Sequence, residues 1–158
     1  MVTAFDRALA FVLGVEGGYN KADPVDRGGP TNFGIRQVTY DFYRATMRLP
    51  TQPVTEITRE EAAAIYRTNY WEPLGCDDRP APLDLIVFDT AVNHGPGRAR
   101  DFLRDCEWAD QPPGIIGFAL LCLRRNFYRR LAENDTSQAK FLRGWLNRLD
   151  ALRGTAGL

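Results

Sequence analysis

Apolar residues in this chain recur three or four positions apart through nearly its whole length, a spacing that suits helices and little else. Phe5, Leu9, Val12 and Leu13 stand at i, i+4, i+7 and i+8, with Glu16 at i+11. That predicts a first helix from about Ala4 to Glu16, stopped by Gly17-Gly18. Residues 19–37 break the pattern. They are rich in Gly, Asp, Pro and Asn, and read as a long loop with a short β-hairpin at Thr31–Ile35. A loop of that length in a compact domain is usually functional. Helical spacing resumes near Val38–Met47. Thr58-Arg-Glu-Glu61 is a capping-box pattern that opens a helix reaching about Trp71. Leu83–Asn93 forms the next helix, closed by His94-Gly95, and Gly97–Cys106 a shorter one. Pro112-Pro113-Gly114 is a break. A long helix follows from Ile115 to about Asn134. Asp135-Thr-Ser-Gln138 offers a second capping box for a last helix ending near Arg153-Gly154. The expected fold is mainly α, with at most a small β element near residues 20–35.

A chain of 158 residues is one ordinary domain or two packed lobes. With 44% apolar and 25% charged residues, intrinsic disorder is excluded. Twenty basic side chains balance twenty acidic ones, so no overall field draws the protein to nucleic acid. From Ile115 onward eight basic residues face three acidic ones. That cationic stretch, Arg124 to Arg153, suits either an anionic polymer or the solvated face of two amphipathic helices. Phe127, Leu131, Phe141, Trp145 and Leu149, at helical spacing within it, are expected in the core. Cys76, Cys106 and Cys122 are an odd, widely spaced set beside a single histidine, His94. They fit neither a disulfide framework nor a zinc site, so three reduced thiols and no metal are expected. Asp6 and Glu16 interrupt the opening apolar stretch, which is not a secretory signal. The longest apolar run, Ile115–Leu123, is broken by Gly117 and is far short of the roughly 20 residues that span a bilayer. Synthesis in the cytoplasm without a signal peptide, and no stable membrane insertion, are the expectations.

Glu16 carries the most information. It follows Val12 by four residues and Leu13 by three, on the apolar stripe of its helix. It also stands in the last turn, where the helix dipole disfavours an anion. Both effects work against the charged form and should raise its pKa, which makes it a natural proton donor near neutral pH. The alternative is a side chain that swings outward at a frayed end or pairs with an arginine. Beyond it lie Gly17-Gly-Tyr19 and Asp23-Pro-Val-Asp26-Arg-Gly-Gly-Pro-Thr31-Asn-Phe-Gly-Ile35. Asp26 and Thr31 supply a second carboxylate and a hydroxyl. An inverting glycosidase needs such a set: one carboxylic acid protonates the leaving oxygen while a carboxylate about 6.5–9.5 Å away activates water. For an isolated aspartate in such a loop, including Asp23 and Asp26, bonding to its own backbone in a turn is the plainer role.

These residues resemble a known family. Glu16-Gly-Gly-Tyr19 followed by Asp26-Arg-Gly-Gly-Pro-Thr31-Asn-Phe-Gly-Ile35 is similar to the signature of glycoside hydrolase family 108, N-acetylmuramidases of phage endolysins and bacterial secretion-activator proteins. Tyr66, Tyr70-Trp71 and Phe88-Asp-Thr-Ala-Val-Asn93-His-Gly95 extend the likeness. Phe141-Leu-Arg-Gly-Trp145-Leu-Asn-Arg148 resembles the end of the associated peptidoglycan-binding region. The resemblance implies a lysozyme-like fold of two helical lobes. Residues 1–92 would form the catalytic region and residues 93–158 a peptidoglycan-binding-like region packed against it. It implies metal- and cofactor-free acid/base hydrolysis of the β-1,4 bond between N-acetylmuramic acid and N-acetylglucosamine. Glu16 is then the general acid, and Asp26 and Thr31 hold the attacking water, with Asp23 the rival for Asp26.

Tyr19, Tyr70 and Trp71 are candidates to stack on sugar faces, against the commoner role of packing at helix ends. Asn93 is a candidate groove residue against a plain C-cap, and Asn32 is a candidate donor to an acetamido group on the strength of the resemblance. The expected partner is the glycan strand of peptidoglycan, met by a monomer that reaches the periplasmic wall through a holin or another route. Two rival readings remain: a lytic transglycosylase, and a non-catalytic peptidoglycan-binding module.

Overall fold

A computed structural model of the chain describes residues 2–16, 31–107 and 110–158, with the backbone alone at Val15 and Glu16. The described residues form six α-helices and one small sheet: α1 (Ala4–Glu16), β1 (Thr31–Asn32), β2 (Ile35–Arg36), α2 (Gln37–Thr46), α3 (Arg59–Tyr66), α4 (Leu83–Cys106), α5 (Pro113–Asn134) and α6 (Leu142–Ala156). The fold is mainly α, as the apolar spacing predicts. Gly17-Gly18 and the rest of the loop up to residue 30 lie outside the described residues. None of the described helices is long and apolar enough to cross a membrane.

The chain forms two compact units, Leu9–Asn69 and Met1–Ala8 with Tyr70–Leu158. The boundary expected at residues 92 and 93 falls within α4.

In the Leu9–Asn69 unit, β1 and β2 pair antiparallel, Thr31 opposite Arg36 and Asn32 opposite Ile35. The two residues between them, Phe33 and Gly34, both have positive φ (51° and 73°). Two successive left-handed residues match the right-handed twist of a two-residue hairpin. Glycine adopts that backbone freely and phenylalanine does not. Further along, the capping box forms as expected: Thr58 Oγ1 accepts from Glu61 N, and Glu61 Oε2 accepts from Thr58 N. The same carboxylate does more. Its Oε2 accepts from the Tyr40 hydroxyl at 2.7 Å, and its Oε1 pairs with Arg44 Nη1 at 2.8 Å. Arg44 also donates to the Tyr40 hydroxyl and, through Nε, to the Pro50 carbonyl. One acidic side chain thus caps α3 and fastens it to α2. Burial pushes the Glu61 carboxyl up, but the Thr58, Tyr40 and Arg44 contacts outweigh it and hold the group below its ordinary pKa.

A π-helical turn, Arg67–Trp71, follows α3, and Trp71, in the other unit, is completely buried. Its indole meets the rings of Phe5 and Phe88 edge-on, with centroids 5.3 and 5.4 Å away. The helix expected to end at His94-Gly95 breaks there: Gly95 has φ 79°, ψ 153°, and a second helical segment follows within α4. Gly117 of α5 lies against Ile86 of α4 so closely that a Cβ would stand 2.7 Å from Ile86 Cδ1. The glycine that breaks the apolar run is the contact point of two helices. Pro113 begins α5 instead of breaking the chain, because proline suits the first turn, where its missing N–H leaves no bond unmade. The second capping box does not form. Asp135 Oδ1 accepts from the backbone N and the hydroxyl of Ser137, a local turn of the kind short polar side chains favour. The last helix starts later, at Leu142, and runs to Ala156, where Gly157 at φ 70° ends it.

The centre of this unit is ionic. Asp89 of α4 is fully buried between two guanidiniums. Arg148 of α6 donates Nε and Nη2 to Asp89 Oδ1 at 3.0 and 2.7 Å. Arg124 of α5, also fully buried, brings Nη2 within 2.8 Å of Oδ2, a close charge contact without hydrogen-bond alignment. Its Nη1 donates to Thr90 Oγ1. The cationic C-terminal stretch is therefore not a purely solvated face, since two of its arginines point inward. Of the apolar residues expected in the core there, Leu149 is buried; Phe127, Leu131 and Trp145 are half-buried. Phe141 is exposed and lies against Trp145.

Removing one partner of a buried pair leaves the other charge unsolvated. Asp89→Ala should therefore cost about 3–5 kcal/mol in urea unfolding. Arg125→Ala, which removes the more exposed Arg125–Asp150 pair, should cost under about 1 kcal/mol.

Candidate active site

The Leu9–Asn69 unit holds Glu16, Tyr19, Asp23, Asp26, Thr31 and Asn32. α1 is described as far as Glu16. Val12, one turn earlier, has no exposed surface, and Leu9, two turns earlier, is 5% exposed. The helical register of position 16 is thus that of a buried stripe. The Glu16 side chain lies outside what the structure describes, as do Tyr19, Asp23 and Asp26 entirely.

Thr31 and Asn32 form β1 and are both half-buried. Neighbouring strand residues project to opposite faces. Asn32 Nδ2 donates to the Thr55 carbonyl at 3.3 Å, tying the hairpin to the chain ahead of α3. Two further anchors hold the segment. The Tyr66 hydroxyl of α3 donates to the Phe33 carbonyl at 2.8 Å, fixing the left-handed residue of the hairpin loop. Gln37 donates to the Gln52 carbonyl and accepts from Val54 N at the start of α2. The residues that present Thr31 are therefore held from three sides.

The remaining candidates lie in the other unit. Trp71 offers no face to a sugar, because it is fully buried among Phe5 and Phe88; the expected stacking gives way to a core role. Tyr70 is half-buried. Asn93 donates Nδ2 to the Asp89 carbonyl at 2.7 Å and to Asp89 Oδ2 at 3.3 Å. Its amide hydrogens serve the buried ion cluster, leaving only its carbonyl oxygen for any ligand.

His94 sits in an aromatic cage. Its ring stacks on Tyr128, with centroids 5.1 Å apart, and meets the edges of Phe102 and Phe127, both at 5.3 Å. Nε2 is buried without a hydrogen-bond partner. Burial first, then the positive fields of Arg124, Arg98 and Arg148 against the opposing Asp89, push its pKa down to about 3. The imidazole is neutral throughout the physiological range and serves as an aromatic wall.

In the sequence, Tyr66, Asp89 and Arg148 figure only as members of matching motifs and Glu61 only as a cap, and no inward role falls to Arg124 or to the Tyr40–Arg44 pair. Asp89 carried a signal. It stands inside the apolar run Ile86–Ala91, the same kind of misplaced carboxylate that singles out Glu16.

Two predictions follow from these anchors. Tyr66→Phe removes one hydrogen bond to a left-handed residue and should cost about 1 kcal/mol in thermal unfolding. It should also lower kcat/KM on cell walls if the hairpin presents Thr31. For His94, the folded pKa lies below the unfolded value of 6.5, so its contribution is complete above pH 6.5 and is lost as pH falls toward about 3. The loss is at most about 1.4 kcal/mol per pH unit. Melting temperatures from pH 7 to roughly pH 5 should fall for the wild type and stay flatter for His94→Phe.

The model of the family described as "Glycosyl hydrolase 108" matches residues 9–95, and that of a "Predicted Peptidoglycan domain" matches residues 103–150. Among solved structures, the chain is similar to SagA of Brucella abortus, at 28% identity and a TM-score of 0.77. The likeness covers 96% of this chain and 92% of that one. No curated protein matches.

Proposed function

The chain belongs to the glycosyl hydrolase 108 family of peptidoglycan hydrolases and carries a peptidoglycan domain, and from this we propose that it is a muramidase. Its reaction is hydrolysis of the β-1,4 bond between N-acetylmuramic acid and N-acetylglucosamine. The observation that supports this reading most is the register of position 16, which falls on the α1 stripe of Leu9 and fully buried Val12. It also shares a compact unit with the anchored Thr31 hairpin. An apolar stripe and a helix C-terminus both disfavour a carboxylate's charge, and on that ground Glu16 is proposed to hold its proton.

In the proposed mechanism, Glu16 gives its proton to the glycosidic oxygen as the bond to the anomeric carbon breaks. Asp26 accepts a proton from a water held by the Thr31 hydroxyl. The water oxygen bonds to the anomeric carbon from the opposite face, and the configuration inverts. Asp23 is the alternative acceptor in the same loop. Tyr19, Tyr70 and Asn32 remain candidate substrate contacts. The enzyme works on the wall after leaving the cytoplasm through a holin or another route.

Glu16→Gln should lower turnover on purified walls by on the order of 10²–10⁴-fold while leaving the melting temperature unchanged. Near-normal activity in that variant would end the assignment. Asp26→Ala and Asp23→Ala, assayed side by side, identify the second carboxylate. Mass spectrometry of the fragments should find reducing N-acetylmuramic ends; 1,6-anhydro ends would make the enzyme a lytic transglycosylase instead.

A further inference from the structure

A groove of about 570 Å³ opens between the second half of α4 and α5, in the size range of ligand clefts. Its residues lie almost wholly within the stretch matched by the peptidoglycan domain. Phe102, Leu123 and Phe127 give it apolar walls, while Asp105, Asn126 and Arg130 supply polar groups. The two phenylalanines are fixed. Their centroids are 5.6 Å apart, both rings abut His94, and the Arg98 guanidinium covers Phe127 at 5.0 Å.

The charges are the distinctive feature. Asp105 and Arg130 line the same groove with opposite signs, and both are exposed. Among the described residues neither has an ion-pair or hydrogen-bond partner. An unpaired cation and anion flanking rigid apolar walls suit a ligand with a carboxylate, an ammonium group and short aliphatic side chains. The glycan strand is a poor match: it has no ammonium group, and sugars are held by exposed aromatic faces and many neutral hydrogen bonds. The peptide stem of peptidoglycan has all three features.

We propose that this groove binds the stem peptide of peptidoglycan, with Arg130 on a peptide carboxylate and Asp105 on the free amine of the diamino acid. This rests on the peptidoglycan reading of the chain and deepens it. The enzyme then holds its substrate at two chemically distinct places, the glycan in the Leu9–Asn69 unit and the peptide in the α4–α5 groove. Wall stripped of peptide loses the second hold, whatever the state of the catalytic groups.

Cys122 is an exposed lining residue of the groove and reports on its occupancy. The other two thiols are buried, with Cys76 pushed up to about 12 by burial and Cys106 also raised. Alkylation by N-ethylmaleimide, followed by mass spectrometry of the full chain, therefore reads Cys122 first. The probes are the tripeptide L-Ala-γ-D-Glu-meso-diaminopimelate, which has no glycosidic bond to cleave, and chitotriose. The tripeptide should slow Cys122 alkylation in proportion to its occupancy, and chitotriose should not. Arg130→Glu and Asp105→Lys should each weaken that protection by about tenfold, the loss of one charge-assisted contact. Both positions are exposed, and an unchanged melting curve confirms that the variants fold. No protection by the tripeptide, equal protection by chitotriose, or unchanged protection in both variants would each overturn the proposal. Turbidity clearing of walls, measured in parallel, separates the two readings. Clearing without peptide protection rejects the groove alone, and protection without clearing rejects the muramidase alone.

Discussion

A single carboxylate holds three helices in one arrangement. Asp89 sits on α4 with no exposed surface, Arg124 reaches it from α5 and Arg148 from α6. Each charge alone would be strongly destabilising in the interior, and their mutual attraction offsets that cost only when all three are in place. Thr90 and Asn93, on the same side of α4, accept from Arg124 and donate to Asp89. Apolar packing would tolerate a helix sliding by part of a turn. This cluster does not, because its hydrogen bonds have fixed directions and lengths. The close approach of Gly117 to Ile86 sets the spacing of α4 and α5 one turn earlier.

Two carboxylates on helices carry structural duties, and what surrounds them decides which. Glu61 has one arginine, one tyrosine and a backbone N–H around it, so it stays ionised and fastens α2 to α3. Asp89 has two guanidiniums and is a structural anion. Glu16, on the helical stripe of Leu9 and Val12, is the carboxylate proposed as the proton donor. His94 completes the contrast: the cations that stabilise Asp89 help to keep its imidazole neutral.

The hairpin shows how a strained element is kept. Phe33 adopts a positive φ that phenylalanine ordinarily avoids. The Tyr66 hydroxyl holds its carbonyl, and the Asn32 and Gln37 amides fix the flanking chain. Strain of this kind persists only where the surroundings over-determine it. The result is a short rigid arm that presents Thr31 and Asn32 in one geometry.

Much of this was legible from residue spacing. The start of α1, the hairpin at Thr31–Ile35, the Thr58–Glu61 capping box and the break at Gly95 are local features, set by backbone sterics and bonds between near neighbours. A single sequence carries that information directly. It could not say that Trp71 is a core residue or that Arg124 and Arg148 face inward. Those outcomes depend on partners tens of residues away: Asp89 lies 59 positions from Arg148. That Asp89 meets two guanidiniums is decided by the crossing of helices. Spacing along the chain marks a charge as out of place, and only the folded chain supplies the opposite charge that explains it.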